Sequence, residues 1–305
     1  MTILVTGASG MLGRALLAGL SKKNEVMGIS KSGRENSRRC DLAKAEEVSS
    51  LFDRAAFDAV IHAAAYSDVD GCERNPREAY EANATGTQHI SQACGRKGVP
   101  LIYVSTDYVF DGQKKSPYEE SDRTCPVNVY GLTKLAGEHH AAQSPAVSVV
   151  VRTSWLFGPG NPSNFVNAVT ERLKRESEVR VLDDQEDSPT YVVDLAAALE
   201  KITDWAASQA KRHPASPVRE IFHVCNAGSA TRLSMTLKIR DWLSLRGVKV
   251  RRLEAQEVKN RPALRPAYAV MSTRHYQRHF NAKLRPWEES LREYLLRNSV
   301  IPCAS

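Results

Sequence analysis

The stretch that decides the fold lies at the N-terminus and reads Thr2-Ile3-Leu4-Val5-Thr6-Gly7-Ala8-Ser9-Gly10-Met11-Leu12-Gly13. Its first five residues form a β-rich run, and residues 11–20 have a helical composition, so the glycines stand in a strand-to-helix turn. Such a turn lets the backbone approach a pyrophosphate and aims helix N-terminal amides at it. The spacing is Gly-x-x-Gly-x-x-Gly rather than Gly-x-Gly-x-x-Gly, so a packing turn without a ligand is the alternative interpretation.

Strand-like and helical segments alternate through the first half of the chain. The predicted strands are 25–29, 59–62, 101–105 and 147–152, and the predicted helices are 44–54, 76–98 and 129–140. This alternation predicts an α/β fold with a Rossmann-like, doubly wound parallel sheet. The pattern changes after Trp155. We therefore predict a nucleotide-binding domain over 1–155, joined by part of 186–225, and a smaller mixed α/β substrate domain over 156–185 and 226–305.

Composition narrows the class of protein. The chain has 305 residues, enough for a substantial core, and no run approaches the 18 or so apolar residues that span a bilayer. A strand begins at residue 2 where a signal peptide would stand, so we expect a cytoplasmic protein. The six cysteines form no Cys-x-x-Cys pair, which argues against a zinc site. The net charge of +7 favours an anionic partner, but without a nucleic-acid-reading module we expect neither nucleic acid nor membrane binding.

Tyr130 and Lys134 stand four residues apart in a predicted helix and therefore share one face. A lysine ammonium near a phenol favours the ionised phenol, which would make a tyrosine with an ordinary pKa of about 10 a usable acid near neutral pH. A surface helix with a half-buried tyrosine is the alternative. Together with the glycine turn, the pair predicts hydride-transfer chemistry.

Several further segments match a known pattern, namely residues 6–13, 62–66, 83–87, 105–112, 130–138, 152–155, 184–185 with 188–190, and 285–288. On these segments the chain resembles the extended short-chain dehydrogenase/reductase superfamily and, within it, the dTDP-4-dehydrorhamnose reductase family. The most family-specific of them reads Ser105-Thr106-Asp107-Tyr108-Val109-Phe110-Asp111-Gly112. The glycine turn and Tyr-x-x-x-Lys indicate only the superfamily.

The resemblance implies that Thr106, Tyr130 and Lys134 form the catalytic set. A hydride arriving at a ketone carbon leaves charge on oxygen, which the Thr106 hydroxyl would stabilise while Tyr130 delivers a proton. Lys134 would lower the phenol pKa and hold the nicotinamide ribose. Thr106 ends a predicted strand, where ligands gather in open α/β sheets, although a strand-end threonine can also simply cap a turn.

The end of the second predicted strand bears on the cofactor. An NAD-specific fold places an acid there for the ribose 2′-hydroxyl. This chain reads Ser30-Lys31-Ser32-Gly33-Arg34 at that point, with no acid until Glu35, and Lys31, Ser32 and Arg34 could receive a 2′-phosphate. We therefore favour NADPH over NADH, with a basic loop that contacts no ligand as the alternative. The predicted cofactor contacts are Gly7, Gly10, Met11, Leu12, Gly13, Lys31, Ser32, Arg34, Asp41, Leu42, Ala63, Ala64, Ala65, Tyr130 and Lys134.

The resemblance also implies a dTDP-linked 4-keto-6-deoxyhexose as substrate. Asp107 is followed by Tyr108 where the related dehydratases carry Asp-Glu, which speaks against dehydration and leaves ketone reduction. Trp155 is a candidate wall of the sugar pocket, and Arg261 and Arg265 stand in a loop suited to a diphosphate. The predicted substrate contacts are Tyr66, Ser67, Asp68, Thr106, Asp107, Trp155, Arg261 and Arg265.

Other functions stay open at this point. The regulatory β subunit of methionine adenosyltransferase resembles the same family and binds NADP, and a sibling reductase or epimerase would act on a different deoxysugar. Some family members form a metal-bridged dimer through a glutamate after the third glycine, where this chain has Ala15. We therefore expect no metal, and the oligomeric state stays open, with a homodimer as one alternative.

Overall fold

The computed structural model describes residues 1–144, 146–213, 218–254, 257–258 and 260–298. Its strands are β1 (Thr2–Thr6), β2 (Glu25–Ser30), β3 (Arg38–Arg39), β4 (Ala59–His62), β5 (Leu101–Thr106), β6 (Ser148–Thr153), β7 (Leu156–Phe157), β8 (Glu178–Leu182), β9 (Glu186–Asp187), β10 (Thr190–Tyr191), β11 (Arg219–His223), β12 (Ala230–Thr231) and β13 (Lys249–Leu253). Its α-helices are α1 (Met11–Leu20), α2 (Ala45–Arg54), α3 (Val69–Arg74), α4 (Pro76–Tyr80), α5 (Gly86–Lys97), α6 (Val129–Ala142), α7 (Phe165–Arg175), α8 (Val192–Arg212), α9 (Arg232–Trp242), α10 (Arg274–Phe280) and α11 (Trp287–Arg297).

Seven parallel strands form the central sheet, in the order β11-β6-β5-β4-β1-β2-β3. The predicted doubly wound α/β fold is therefore confirmed. The strand order reverses between β1 and β4, and open α/β sheets bind ligands outside the carboxyl ends of the strands at such a switch point. The glycine turn follows β1 directly, so it lies at this point of the sheet.

Apolar side chains cover both faces of the central sheet. On one face Leu16 of α1 and Leu199 and Ile202 of α8 are fully buried with the strands. On the other, Phe52 of α2 and Ile90 of α5 are buried. Burial of an aliphatic or aromatic side chain contributes about 1.5–3 kcal/mol. The sheet is thus a rigid support for the loops at its carboxyl edge.

A second, smaller core lies in the later part of the chain. Helices α7, α9 and α11 pack there with short two-stranded sheets, parallel β8–β13 and antiparallel β9–β12. Between these segments the chain returns to the central sheet, since β11 pairs with β6 and α8 packs on α1. This packing supports the predicted division, whose boundaries we keep as a proposal.

The predicted helix over 76–98 is wrong in one respect, because a π-helical turn at Glu81–Thr85 separates α4 from α5. Asn83 lies in this turn, is completely buried, and accepts a hydrogen bond from the amide of Tyr66. Sequence patterns also missed β3 and β13, whose charged residues give no apolar alternation, and the short helices α3 and α10. Among the described residues, no helix is both long and apolar enough to cross a membrane.

Candidate active site

The glycine turn has two glycines that pack closely and one that is open. Gly7 has φ +69°, and a Cβ atom there would lie 2.7 Å from the Cα of Ala64. A Cβ on Gly13 would lie 2.6 Å from the Cα of Ala8, so α1 can approach β1 only with glycine at that position. Gly10 is exposed, and α1 begins at the next residue with no acid in its first turn. The free amides of this first turn fit a pyrophosphate, which is what a dinucleotide would present.

The neighbouring strand β4 is tied to this turn by a buried histidine. Thr6 Oγ1 lies 2.6 Å from His62 Nδ1 and accepts a hydrogen bond from the amide of Ala64 at 3.1 Å. The other ring nitrogen lies 3.0 Å from the Thr87 hydroxyl, and burial lowers the pKa of His62 to about 3. A neutral His62 therefore holds the predicted cofactor segment Ala63, Ala64 and Ala65 against the glycine turn. Sequence reasoning did not identify this role.

The loop after β2 is basic and exposed. Lys31, Ser32 and Arg34 all lie at the surface, and Glu35 is turned to Arg14, with 3.5 Å between carboxylate and guanidinium. Sequence reasoning missed Arg39, which pairs across from Ser30 at the end of β2 and adds to the basic charge.

The predicted adenine pair follows β3. Asp41 is half-buried, and its amide donates to Glu47 at 2.8 Å. Leu42 is buried, and its carbonyl accepts from His89 at 2.8 Å.

Thr106 and Tyr130 meet where β5 ends and α6 begins. Gly131 permits this meeting, because a Cβ atom there would lie 2.9 Å from the backbone carbonyl carbon of Tyr108. Burial raises the pKa of Tyr130 above its ordinary value, and a hydrogen bond with Thr106 offsets part of the rise. The structure thus brings the predicted proton donor and the predicted oxyanion-stabilising hydroxyl together.

Lys134 lies on the same helix but does not contact the phenol. It is 2% exposed, donates from Nζ to the carbonyl of Val104 at 2.7 Å, and lies 4.1 Å from the ring centre of Tyr103. Burial lowers its pKa to about 7. In this geometry burial raises the pKa of Tyr130 and Lys134 donates to the backbone, so the lowering of the phenol pKa by Lys134 stays a prediction.

Asp107 lies next to Thr106 at the base of the candidate active site. The carboxylate is 2% exposed and accepts from Thr106 at 2.9 Å and from Ser154 at 2.7 Å. Burial raises its pKa to about 6. Sequence reasoning missed Asp187, a second buried acid whose pKa burial and the charge of Asp107 both raise well above the ordinary value. Among the described residues, its Oδ1 has no hydrogen-bond partner.

Two aromatic residues, Tyr108 and Trp155, flank the base of the candidate active site. The Tyr108 ring lies edge-on to Tyr130 with 5.9 Å between centres, and its hydroxyl accepts from Gln185 at 3.0 Å. Trp155 is half-buried and has φ +39°, a left-handed conformation that is costly for a bulky residue and is found most often at functional sites. Its ring packs beside Phe165, 5.6 Å between centres. These positions agree with the predicted wall of a sugar pocket.

The two predicted diphosphate ligands are already paired. Arg265 makes a bidentate contact with Asp70 at 2.7 and 2.6 Å, and its side chain is 12% exposed. Arg261 pairs with Asp184 and donates to Gln185 at 3.1 Å. Each guanidinium therefore has a matching carboxylate within the protein.

The predicted sugar contacts after β4 differ in burial. Tyr66 is fixed by Asn83, which accepts from its amide at 2.7 Å and donates to its carbonyl at 3.1 Å. Asn83 also donates to Thr133 at 3.0 Å, so the π-helical turn links this segment to α6. Ser67 and Asp68 are exposed, and Asp68 caps α3 by accepting from the amide of Gly71 at 3.0 Å.

The chain has a dinucleotide-binding fold in which the end of β5 carries Thr106 and the start of α6 carries Tyr130. This combination places the chain among the extended short-chain dehydrogenase/reductases. The sequence model of the RmlD substrate binding domain matches residues 1–300. A dTDP-4-dehydrorhamnose reductase of Mycobacterium tuberculosis H37Rv is 36% identical, over 95% of this chain and 90% of that protein. The chain belongs to the dTDP-4-dehydrorhamnose reductase family.

Solved structures of the family have the same fold. The crystal structure of a dTDP-4-dehydrorhamnose reductase from Clostridium acetobutylicum superposes with a TM-score of 0.86 at 33% identity, covering 98% of this chain and 100% of that one. The Bacillus anthracis enzyme, solved in complex with NADP, also gives 0.86 at 29% identity, covering 97% and 99%. The similarity therefore extends over nearly the whole of each chain.

Proposed function

We propose that the protein reduces the C4 ketone of a dTDP-linked 6-deoxyhexose with NADPH, most simply dTDP-4-dehydro-β-L-rhamnose to dTDP-L-rhamnose. The observation that carries this proposal is the packing of α6 against the end of β5, which places Tyr130 next to Tyr108 and the Thr106–Asp107 hydrogen bond at the carboxyl edge of the sheet. The relatives named as dTDP-4-dehydrorhamnose reductases support the choice of substrate.

The chemistry assigns one task to each side chain. NADPH, when bound, supplies the hydride. Tyr130 donates its phenolic proton to the ketone oxygen, and the Thr106 hydroxyl would stabilise the charge that develops there once its proton turns from Asp107, to which it donates in this structure. Asp107 orients Thr106 through the 2.9 Å hydrogen bond. The phenol of Tyr130 is protonated at neutral pH, which is the state that a proton donor needs, although burial raises its pKa and so makes it a weaker acid.

Residues at three places would hold the cofactor. The amides of Met11, Leu12 and Gly13 would bind the pyrophosphate, and Lys134 would bind the nicotinamide ribose. Lys31, Ser32 and Arg34, together with Arg39, would bind a 2′-phosphate. Tighter binding of NADH than of NADPH in an equilibrium titration would contradict this preference.

Substrate selection would use residues from both parts of the chain. We assign the sugar pocket to Trp155, Asp107 and the segment after β4, with the second core as the platform for the nucleotide. A homodimer and a cytoplasmic location remain predictions from the sequence.

The test is NADPH oxidation with dTDP-4-dehydro-6-deoxy-L-mannose generated in place, followed by identification of the product by NMR. The proposal expects NADPH loss that requires the sugar and yields dTDP-L-rhamnose. A reaction without the sugar is one control. The other is Tyr80→Phe, which replaces an exposed tyrosine and serves as the control for Tyr130→Phe. Binding of NADPH with no turnover, together with co-purification of a large partner, would contradict the proposal and favour a regulatory subunit.

A further inference from the structure

Arg232 is a cation beside Trp155 to which the proposed chemistry assigns no role. It is the first residue of α9 and directly follows β12, whose Ala230 pairs with Asp187. Its guanidinium lies 5.9 Å from the ring centre of Trp155 and 5.2 Å from that of Phe165. The side chain is therefore fixed to the wall of the cleft by stacking on aromatic rings.

Arg232 differs from the other arginines of the cleft in its charge balance. Arg261 and Arg265 each contact a carboxylate, and their side chains are only 13% and 12% exposed. Among the residues that the structure describes, Arg232 takes part in no ion pair, and it is half-exposed. A dianion could pair with Arg232 without first displacing an internal carboxylate.

The position of Arg232 is rigid. Thr231 caps α9 by accepting from the amide of Ser234 at 3.1 Å, and Ser234 accepts in return from the amide of Thr231 at 3.0 Å. This reciprocal cap fixes the backbone on the N-terminal side of Arg232. A preorganised guanidinium gives up less conformational entropy when it binds an anion.

The charge of Arg232 also reaches the reacting end of the cleft. Burial raises the pKa of both Asp187 and Tyr108, and Arg232 offsets part of the rise in each. Tyr108 in turn contacts the ring of Tyr130. Arg232 therefore lies within electrostatic range of the site where the sugar would react, on the side bounded by Trp155.

We propose that Arg232 pairs with the diphosphate of the nucleotide sugar, and that Arg261 and Arg265 serve instead to fix the loop that contains them. The proposal rests on the proposed function, because a nucleotide-linked sugar is what brings a diphosphate to this cleft. The guanidinium fork suits a phosphate oxygen pair geometrically, so arginine and lysine should differ at this position.

The experiment compares the binding of dTDP and thymidine by calorimetry in the native protein and in Arg232→Gln. Loss of a charge-assisted contact predicts dTDP binding weaker by about tenfold or more, with thymidine binding unchanged. Arg232→Lys, which keeps the charge but loses the fork, should fall between the two. Arg240→Gln is the matched control, because Arg240 lies on the same helix and pairs with Asp241.

Two outcomes would overturn the proposal. One is native dTDP affinity in Arg232→Gln. The other is an equal loss for dTDP and thymidine, which would mean that Arg232 only shapes the pocket. Native affinity for NADPH shows that the variant is folded, and Arg232→Lys provides the same comparison should Arg232→Gln not fold.

The same proteins separate this proposal from the proposed function. Turnover by the native protein with an unchanged KM in Arg232→Gln would reject the role of Arg232 alone. Arg232-dependent binding of dTDP without turnover by the native protein would reject the reductase function and retain the diphosphate site. Absence of both dTDP binding and turnover in the native protein would reject both.

Discussion

Helix α6 has two buried polar regions that differ in how completely their charges are paired. In its C-terminal half, Glu138 receives two bonds from Arg152, at 2.9 and 2.7 Å, and a third from Ser105 at 2.6 Å. In its N-terminal half, Lys134 donates only to a backbone carbonyl, and Tyr130 has a raised pKa. Both regions are buried, yet only the first matches a cation with an anion.

This difference separates stability from chemistry along one helix. A buried pair with complete hydrogen bonds holds α6 against β5 and β6, whereas a buried cation without a carboxylate contact carries a desolvation cost that folding alone does not require. Unmatched groups of this kind concentrate at functional sites. Substitutions in the two halves should therefore affect different measurements.

The largest effect is expected from Tyr130→Phe. Loss of the proton donor should lower kcat by about 10²–10⁴-fold, while NADPH binding and the unfolding midpoint stay near native values. Stopped-flow or steady-state NADPH oxidation measures the first, and fluorescence titration measures the second. A variant with native kcat would show that another group delivers the proton.

Arg152→Met should show the opposite pattern, with a loss of stability rather than a loss of kcat in the folded protein. It leaves the Glu138 carboxylate buried without its partner, which costs about 3–5 kcal/mol of unfolding free energy. Arg172→Met breaks an exposed pair with Glu176 and should cost at most about 1 kcal/mol. Urea unfolding of the two variants tests the comparison, and equal costs would contradict it.

Gly131→Ala should disturb both properties. The added Cβ would lie 2.9 Å from the Tyr108 carbonyl carbon, so α6 must shift, at a cost of about 1–3 kcal/mol, and Tyr130 must move relative to Thr106. Gly19→Ala in α1 is the matched control. No atom lies within 4 Å of its Cβ, and it should stabilise by about 0.5–1 kcal/mol. Native stability and kcat in Gly131→Ala would show that the backbones do not pack this closely.

Lys134→Met should change stability in a way that depends on pH. The pKa of Lys134 falls from 10.5 to about 7 on folding, so between these values the unfolded chain holds a proton that the folded chain has lost. Native stability should therefore rise with pH across this window, by up to about 1.4 kcal/mol per unit. The variant should lack this rise. Its free energy of unfolding relative to that of the native protein should therefore be most favourable near pH 6. The prediction would be contradicted if the free energy of unfolding changed by the same amount between about pH 6 and pH 9 in both proteins.

The sequence predicted the sheet and the helix that carries Tyr130 and Lys134 because local patterns carry that information. Apolar runs and strand-to-helix turns specify β1, β4 and β5, and Tyr130 and Lys134 share a helix face at any helix position. It included Asn83 in a segment that resembles the family but did not predict the π-helical turn there, because such a turn has no local signal.

Tertiary pairing explains the other errors. Asp187 and Arg232 lie far apart in sequence and meet only through β9 and β12. The pKa of Tyr130 and the pairing of Arg261 and Arg265 depend on burial and on partners that residue spacing does not specify.

The return of the chain to the central sheet has a consequence for recombining this protein with its relatives. Leu16 of α1 and Leu199 of α8 belong to one apolar core, although 183 residues separate them in the sequence. A fragment that ends at residue 155 would expose this apolar face and lack β11 at the sheet edge. An exchange of substrate preference between family members would therefore have to graft two separate segments and leave α8 and β11 in place.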